Sequence, residues 1–209
     1  MFSRLQYISQ GDSGPTSHLR NIREALDAGV SLVQLRLKET SDEQFIETAG
    51  KAQELCRSYD ARFIVNDNPQ VALSCGADGV HLGLNDMDVL EARTIVGSMF
   101  IGGTANTFED VLQRESEQVS YIGLGPFRFT NTKKKLSPLL GLEGYRSILH
   151  QMEDRSILVP VYAIGGIELG DIKSLMTTGV YGVAVSGLIT QADNKERIVR
   201  EINSILYNA

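Results

Sequence analysis

Phe63-Ile64-Val65-Asn66-Asp67 and Gly79-Val80-His81-Leu82-Gly83-Leu84-Asn85-Asp86 decide the reading of this chain. Each is an apolar run that ends in an Asn-Asp pair. Neither run alternates strictly, which is what a parallel strand buried on both faces looks like. A carboxylate at the end of such a strand puts charge at the edge of a core. Two neighbouring strands doing so bring two carboxylates together.

The same pattern repeats outward in both directions. The predicted strands are Leu5–Ser9, Leu32–Arg36, Phe63–Asp67, Gly79–Gly83, Phe100–Thr104, Tyr121–Gly125, Pro160–Gly166 and Gly182–Ser186. Helical patterns separate them. Ser41-Asp42-Glu43-Gln44 has the spacing of a capping box, and Phe45, Ile46, Ala49, Ala52 and Cys56 follow at helical intervals. Thr107 and Asp110 frame another helix start. Ile198, Val199, Ile202, Ile205 and Leu206 form one face of a final helix. Gly29, Gly76 and Gly179 each close a helical run before a strand. Strand–helix repeats of this number predict an α/β fold, a single (β/α)8 TIM barrel with residues 1–209 as one domain. An open doubly wound sheet is the alternative, but the loop after the first strand lacks GxGxxG spacing.

Bulk composition narrows the function. The 209 residues carry a net charge of -6, which opposes nucleic-acid binding. Any anionic ligand then needs local positive charge or a metal. The start of the chain has no signal-peptide core, and Ile157–Ile167 is too short to span a bilayer. A cytoplasmic protein with no membrane partner is the expectation. Cys56 and Cys75 have no CxxC spacing and read as buried free thiols.

In a barrel the C-terminal strand ends form the active face. There the sequence places Gln34, Arg36 and Lys38, then Asn66 and Asp67, then Asp86, Thr104 and Asn106. Gly165-Gly166 and Val185-Ser186-Gly187 end the last two strands, where backbone N–H groups commonly cradle phosphate. Asp67 and Asp86 suit Mg2+, which takes one or two carboxylates plus substrate phosphate oxygens. The plainer reading makes each a helix cap. His81 sits inside a strand and reads as a satisfied interior imidazole, so zinc is disfavoured. Pro126–Gly141 is long for a barrel loop, and it carries Thr130, Thr132 and Lys133. Two anion sites and one metal imply two small phosphorylated substrates.

These residues stand in ordered motifs along nearly the whole chain: Val33-Gln34-Leu35-Arg36 with Lys38, Ile64-Val65-Asn66-Asp67, Gly76-Ala77-Asp78-Gly79-Val80-His81-Leu82-Gly83 followed by Asp86, Ile101-Gly102-Gly103-Thr104, Tyr121-Ile122-Gly123-Leu124-Gly125-Pro126, Thr130-Asn131-Thr132-Lys133 and Ala163-Ile164-Gly165-Gly166-Ile167. In this the chain resembles the thiamin phosphate synthase family. The resemblance implies condensation of hydroxymethylpyrimidine pyrophosphate with hydroxyethylthiazole phosphate, giving thiamin phosphate and pyrophosphate. It implies that Gln34, Arg36, Lys38, Asn66, Thr104 and Lys133 hold the pyrimidine pyrophosphate. Asp67 and Asp86 would bind Mg2+, and Thr130, Thr132, Gly166, Val185 and Ser186 would hold the thiazole phosphate. Arg36, Lys38 and Lys133 would carry catalysis by assisting pyrophosphate departure. A homo-oligomer is compatible with this reading.

The chain departs from the family pattern in places. Thr104 replaces a frequent Ser, Asn106 a frequent His, Leu84 a frequent Gln and Asn68 a common Arg. The rival readings are the related thiazole tautomerase, a sugar-phosphate epimerase and a catalytically silent phosphate-binding barrel. The tautomerase tends to lack the aspartate pair and to use a His at position 106.

Overall fold

The computed structural model describes residues 3–11, 14–38, 40–129 and 138–208. The strands are β1 (Leu5–Ile8), β2 (Leu32–Leu35), β3 (Arg62–Asn66), β4 (Gly79–Leu82), β5 (Phe100–Ala105), β6 (Tyr121–Leu124), β7 (Val161–Ile164) and β8 (Gly182–Val185). They close in sequence order, and β1 pairs in parallel with both β2 and β8. The barrel expectation holds, with strand ends moved by a residue or two. The reason for closure lies in the residues. Apolar side chains such as Val33, Phe63, Val65, Val80 and Ile101 are fully buried, so the sheet has no water-facing side.

Around the sheet lie α1 (Pro15–Asp27), α2 (Asp42–Ser58), α3 (Pro69–Cys75), α4 (Val89–Val96), α5 (Phe108–Ser116), α6 (Gly141–Asp154), α7 (Leu169–Met176), α8 (Gly187–Thr190) and α9 (Lys195–Asn208). Their apolar stripes pack on the strands, as Ile22, Ala49, Val111, Ile172 and Ile202 do. Start signals behave as local chemistry dictates. Thr107 and Asp110 exchange both bonds of a capping box at α5. At α2 only half the box forms. Ser41 accepts from the Gln44 N–H, but the Gln44 side chain accepts instead from Thr40 Oγ1 at 2.9 Å.

Three further details correct the sequence reading. Ile46 lies on the solvent face of α2 despite its spacing. Cys75 is only half-buried, whereas Cys56 is fully buried, and both are free thiols. The caps of α3 and α4 are Asn68 and Asp88, which accept from Val71 N–H and from Leu90 and Glu91 N–H. Asp67 and Asp86 are therefore not helix caps.

Candidate active site at the C-terminal strand ends

Polar side chains from six strands meet inside the barrel. Gln34 Nε2 donates to Asn66 Oδ1 at 2.7 Å, and Gln34 Oε1 accepts from Gln6 Nε2 at 3.1 Å. Gln6 Nε2 also donates to the Tyr121 hydroxyl at 3.3 Å. Tyr121 bonds His81 Nδ1 at 3.2 Å, and His81 Nε2 bonds Thr104 Oγ1 at 3.0 Å. All six residues are buried. The Tyr121 and His81 rings stack with centroids 5.5 Å apart. The space for them comes from β5, because a Cβ at Gly102 would run into both rings. Burial pushes the Tyr121 phenol far above its usual range, so it keeps its proton.

Charge collects just above this layer. Asp67 follows β3 with φ +68°, a left-handed conformation that Asp tolerates at some cost. Its N–H donates to the His81 carbonyl at 2.8 Å, which pins the turn to β4. Lys38, on the loop after β2, bonds Asp67 Oδ2. Burial raises the Asp67 carboxyl above its ordinary value, and the neighbouring Asp86 carboxylate adds to the rise while Lys38 opposes it. The two carboxylates therefore face each other. Asp86 is held there by Gly83 N–H, which donates to its Oδ2 at 2.6 Å. Among the described residues no group of three or more His, Cys, Asp or Glu could hold a metal. Two facing carboxylates fit Mg2+ by donor chemistry, since substrate oxygens and water complete its shell.

Arg36 follows directly on β2, which ends at Leu35. Its N–H donates to Ser9 Oγ at 3.1 Å. The Ser9 hydroxyl also bonds His18 Nδ1 at 2.8 Å, so β1 and α1 fix where the cationic loop begins.

On the opposite wall, Gly165 and Gly166 follow β7 with φ values of +97° and +66°. Only glycine adopts two such steps without strain. A Cβ at Gly165 would lie 2.7 Å from Pro126 Cβ, and one at Gly166 would overlap Arg128. Arg128 clamps this turn, donating to the Gly166 carbonyl at 3.1 Å and to Asp171 Oδ1 at 2.8 Å. Val185 ends β8, and Ser186 next to it bonds Gln10 Oε1 at 3.4 Å. The half-buried backbone of Gly165, Gly166 and Ser186 on these two strand ends is suited to an anion. Thr130, Thr132 and Lys133 lie outside the described residues.

Gln34, Arg36, Lys38, Asn66, Asp67, Asp86, Thr104, Gly166, Val185 and Ser186 thus all come to one end of the barrel. Sequence reasoning missed Gln6, Tyr121, Arg114 and the support given by Asn106. Arg114 on α5 is buried, and it donates to Thr104 O at 3.0 Å and Gly83 O at 3.2 Å. Asn106 Nδ2 bonds the carbonyls of Gly125 and Ala105, so that amide works as a brace. A cavity of about 720 Å³ opens near Arg4, Pro160 and Tyr181, at the other end of the barrel from these groups.

The chain is similar to known proteins along nearly its whole length. The family model described as thiamine monophosphate synthase matches residues 5–189. A thiamine-phosphate synthase of Flavobacterium psychrophilum is 52% identical over 207 residues, covering 99% of this chain and 100% of that protein. One from Flavobacterium johnsoniae is 52% identical over 208 residues, covering 99% of this chain and 98% of that protein. The solved structure of thiamine phosphate pyrophosphorylase from Pyrococcus furiosus superposes with a TM-score of 0.85 at 32% identity, covering 98% of this chain and 96% of that one.

Proposed function

Because the chain belongs to the thiamine monophosphate synthase family, we propose that it condenses hydroxymethylpyrimidine pyrophosphate with hydroxyethylthiazole phosphate at the C-terminal strand ends. The bond between the pyrimidine methylene carbon and the pyrophosphate oxygen breaks, and its electron pair leaves with pyrophosphate. The thiazole nitrogen lone pair then forms the new carbon–nitrogen bond. No proton has to move, so the site needs no general base.

Gln34, Asn66 and Thr104 hold the pyrimidine pyrophosphate from below. Arg36, Lys38 and Lys133 place cationic charge where the leaving group gains negative charge, which is the kind of stabilisation that lowers a barrier most. Asp67 and Asp86 would hold Mg2+, which would supply Lewis-acid charge to the departing pyrophosphate. Gly166, Val185 and Ser186, with Thr130 and Thr132, hold the thiazole phosphate, and fixing both substrates side by side removes an entropic barrier. The observation that carries this reading is the facing of Asp67 and Asp86 beside Lys38, with the capping duty of both taken by other residues.

The thiazole tautomerase reading fits less well, because Asn106 braces Gly125 where that reaction would use a His. We read residues 1–209 as one catalytic domain. Among the described residues no helix is long and apolar enough to cross a membrane, and the free thiols fit a reducing, cytoplasmic setting. The deciding experiment mixes purified protein with both substrates and Mg2+ and follows pyrophosphate. Release that stops on adding a chelator is expected. No release, or release indifferent to the chelator, overturns the proposal.

A further inference from the structure

The buried polar layer has a direction. Gln6 Nε2 carries two protons, and both are used: one toward Gln34 Oε1 at 3.1 Å, the other toward the Tyr121 hydroxyl at 3.3 Å. Two arms therefore diverge from one amide nitrogen.

Along the first arm, Gln34 accepts at Oε1 and so donates through Nε2 to Asn66 Oδ1 at 2.7 Å. The Asn66 amide is thereby turned so that Nδ2 is its remaining group. Along the second arm, Tyr121 accepts from Gln6 and lies 3.2 Å from His81 Nδ1, where donor and acceptor are set by the His81 tautomer. Donation from Tyr121 to Nδ1 requires the tautomer that carries its proton on Nε2. In that tautomer Nε2 donates to Thr104 Oγ1, 3.0 Å away, and the Thr104 hydroxyl proton is left to be donated onward. Among the described residues the buried side-chain polar atom without a partner is Gln53 Oε1, on α2.

We propose that Gln6 is a positioning residue that fixes the direction of both arms, so that Asn66 and Thr104 meet the pyrimidine substrate as hydrogen-bond donors. The identity of that ligand rests on the synthase reading; the direction of the arms does not. The bound face of the ligand must then offer acceptors, which ring nitrogens and pyrophosphate oxygens do. A reversed network would present an Asn66 carbonyl and a Thr104 lone pair to the same atoms, and both contacts would be repulsive.

The test begins with the wild-type protein labelled with 15N-histidine, with His81 assigned from its loss in His81→Asn. The expected spectrum shows His81 with Nε2 protonated and Nδ1 bare. A spectrum with Nδ1 protonated, or with both nitrogens protonated at neutral pH, overturns the proposal without any variant of Gln6. Gln6→Met then removes both donors at nearly constant volume. It is expected to mix the His81 tautomers and to raise KM for the pyrimidine pyrophosphate by about tenfold, as loss of one or two neutral hydrogen bonds would. KM for the thiazole phosphate should stay within about twofold. A single unchanged tautomer with unchanged KM values in Gln6→Met overturns the proposal. The expected wild-type spectrum without any pyrophosphate release would overturn the synthase reading and leave the direction of the arms standing.

Discussion

Lys38 Nζ bonds Asp67 Oδ2 across the ends of β2 and β3, while Asp86 faces the same carboxylate from β4. Asp67 thus stands between a fixed cation and a like charge before any ligand arrives. Lys38 offsets part of the repulsion between the carboxylates, and a divalent cation would offset the rest.

Asp67→Ala should therefore lower pyrophosphate release by about 100-fold or more, the scale seen when one preorganised electrostatic contact is removed from a site. The variant should still bind thiazole phosphate, because Gly166 and Ser186 lie on the far wall. Steady-state turnover together with calorimetric titration of the thiazole phosphate checks both halves. Near-normal turnover would count against metal ligation by Asp67.

The barrel was readable because each strand is a continuous apolar run, and Val65 or Val80 has no water-facing side to interrupt it. Asp67, Asp86 and Gly166 were readable because they interrupt such runs at one end. Gln6 and Tyr121 were not. Each looks like an ordinary polar or aromatic strand residue, and only closure of the barrel brings Gln6 within 3.3 Å of Tyr121. In the sequence Asn68 stands out only as a departure from the family pattern, yet its place before Pro69 marks it as the cap of α3. Arg114 sits in a polar-looking helix and would pass for a solvated charge. Its one signal was Gly103, whose missing Cβ leaves room for the Arg114 stem.

Burial, followed by the Asp78 carboxylate, pushes the Cys56 thiol up to about 12. In the unfolded chain a thiol titrates near 8.5. The folded-state value is the higher one, so the stabilisation is fully present below about pH 8.5 and is lost as pH rises toward 12. Within that window the unfolded chain has released the proton and the folded chain has kept it. Each pH unit should cost about 1.4 kcal/mol from this group. Urea unfolding of wild type and Cys56→Ala at a series of alkaline pH values isolates the effect, because buried tyrosines contribute equally to both. A Cys56→Ala curve parallel to wild type between about pH 9 and 11 would contradict it.

Gly166→Ala places a Cβ on a residue at φ +66° and against the Arg128 stem. The turn must then shift, and Arg128 loses its bond to the Gly166 carbonyl or moves with it. A stability loss of about 1–3 kcal/mol is expected from the backbone conformation and the overlap. The functional effect should be selective: KM for the thiazole phosphate rises by about tenfold or more, and KM for the pyrimidine pyrophosphate does not follow. Equal effects on both would mean that the β7 turn does not belong to one substrate.

Loss of Arg114 should lower stability substantially. Its guanidinium is buried and pairs with the nearly buried Glu117 at 2.7 Å. The same fork bonds Thr104 O and Gly83 O, and so ties the end of β5 to the loop that carries Asp86. Arg114→Met keeps much of the stem volume but removes the fork from Glu117, Thr104 O and Gly83 O. A fully uncompensated buried partner costs about 3–5 kcal/mol, and the loss here should fall below that because Gln113 Nε2 still donates to Glu117 and the Asp86 N–H to Gly83 O. Arg114→Lys keeps the charge but cannot span three acceptors with a planar fork, so it should recover only part of the loss. The Gly83 bond also predicts a functional component. Gly83 N–H orients Asp86, so a looser Gly83 should raise the Mg2+ concentration needed for half-maximal turnover. Urea midpoints for both variants and Mg2+ titrations of turnover separate the two effects. A fully stable Arg114→Met with wild-type Mg2+ dependence would show that the strand ends hold their positions without this residue.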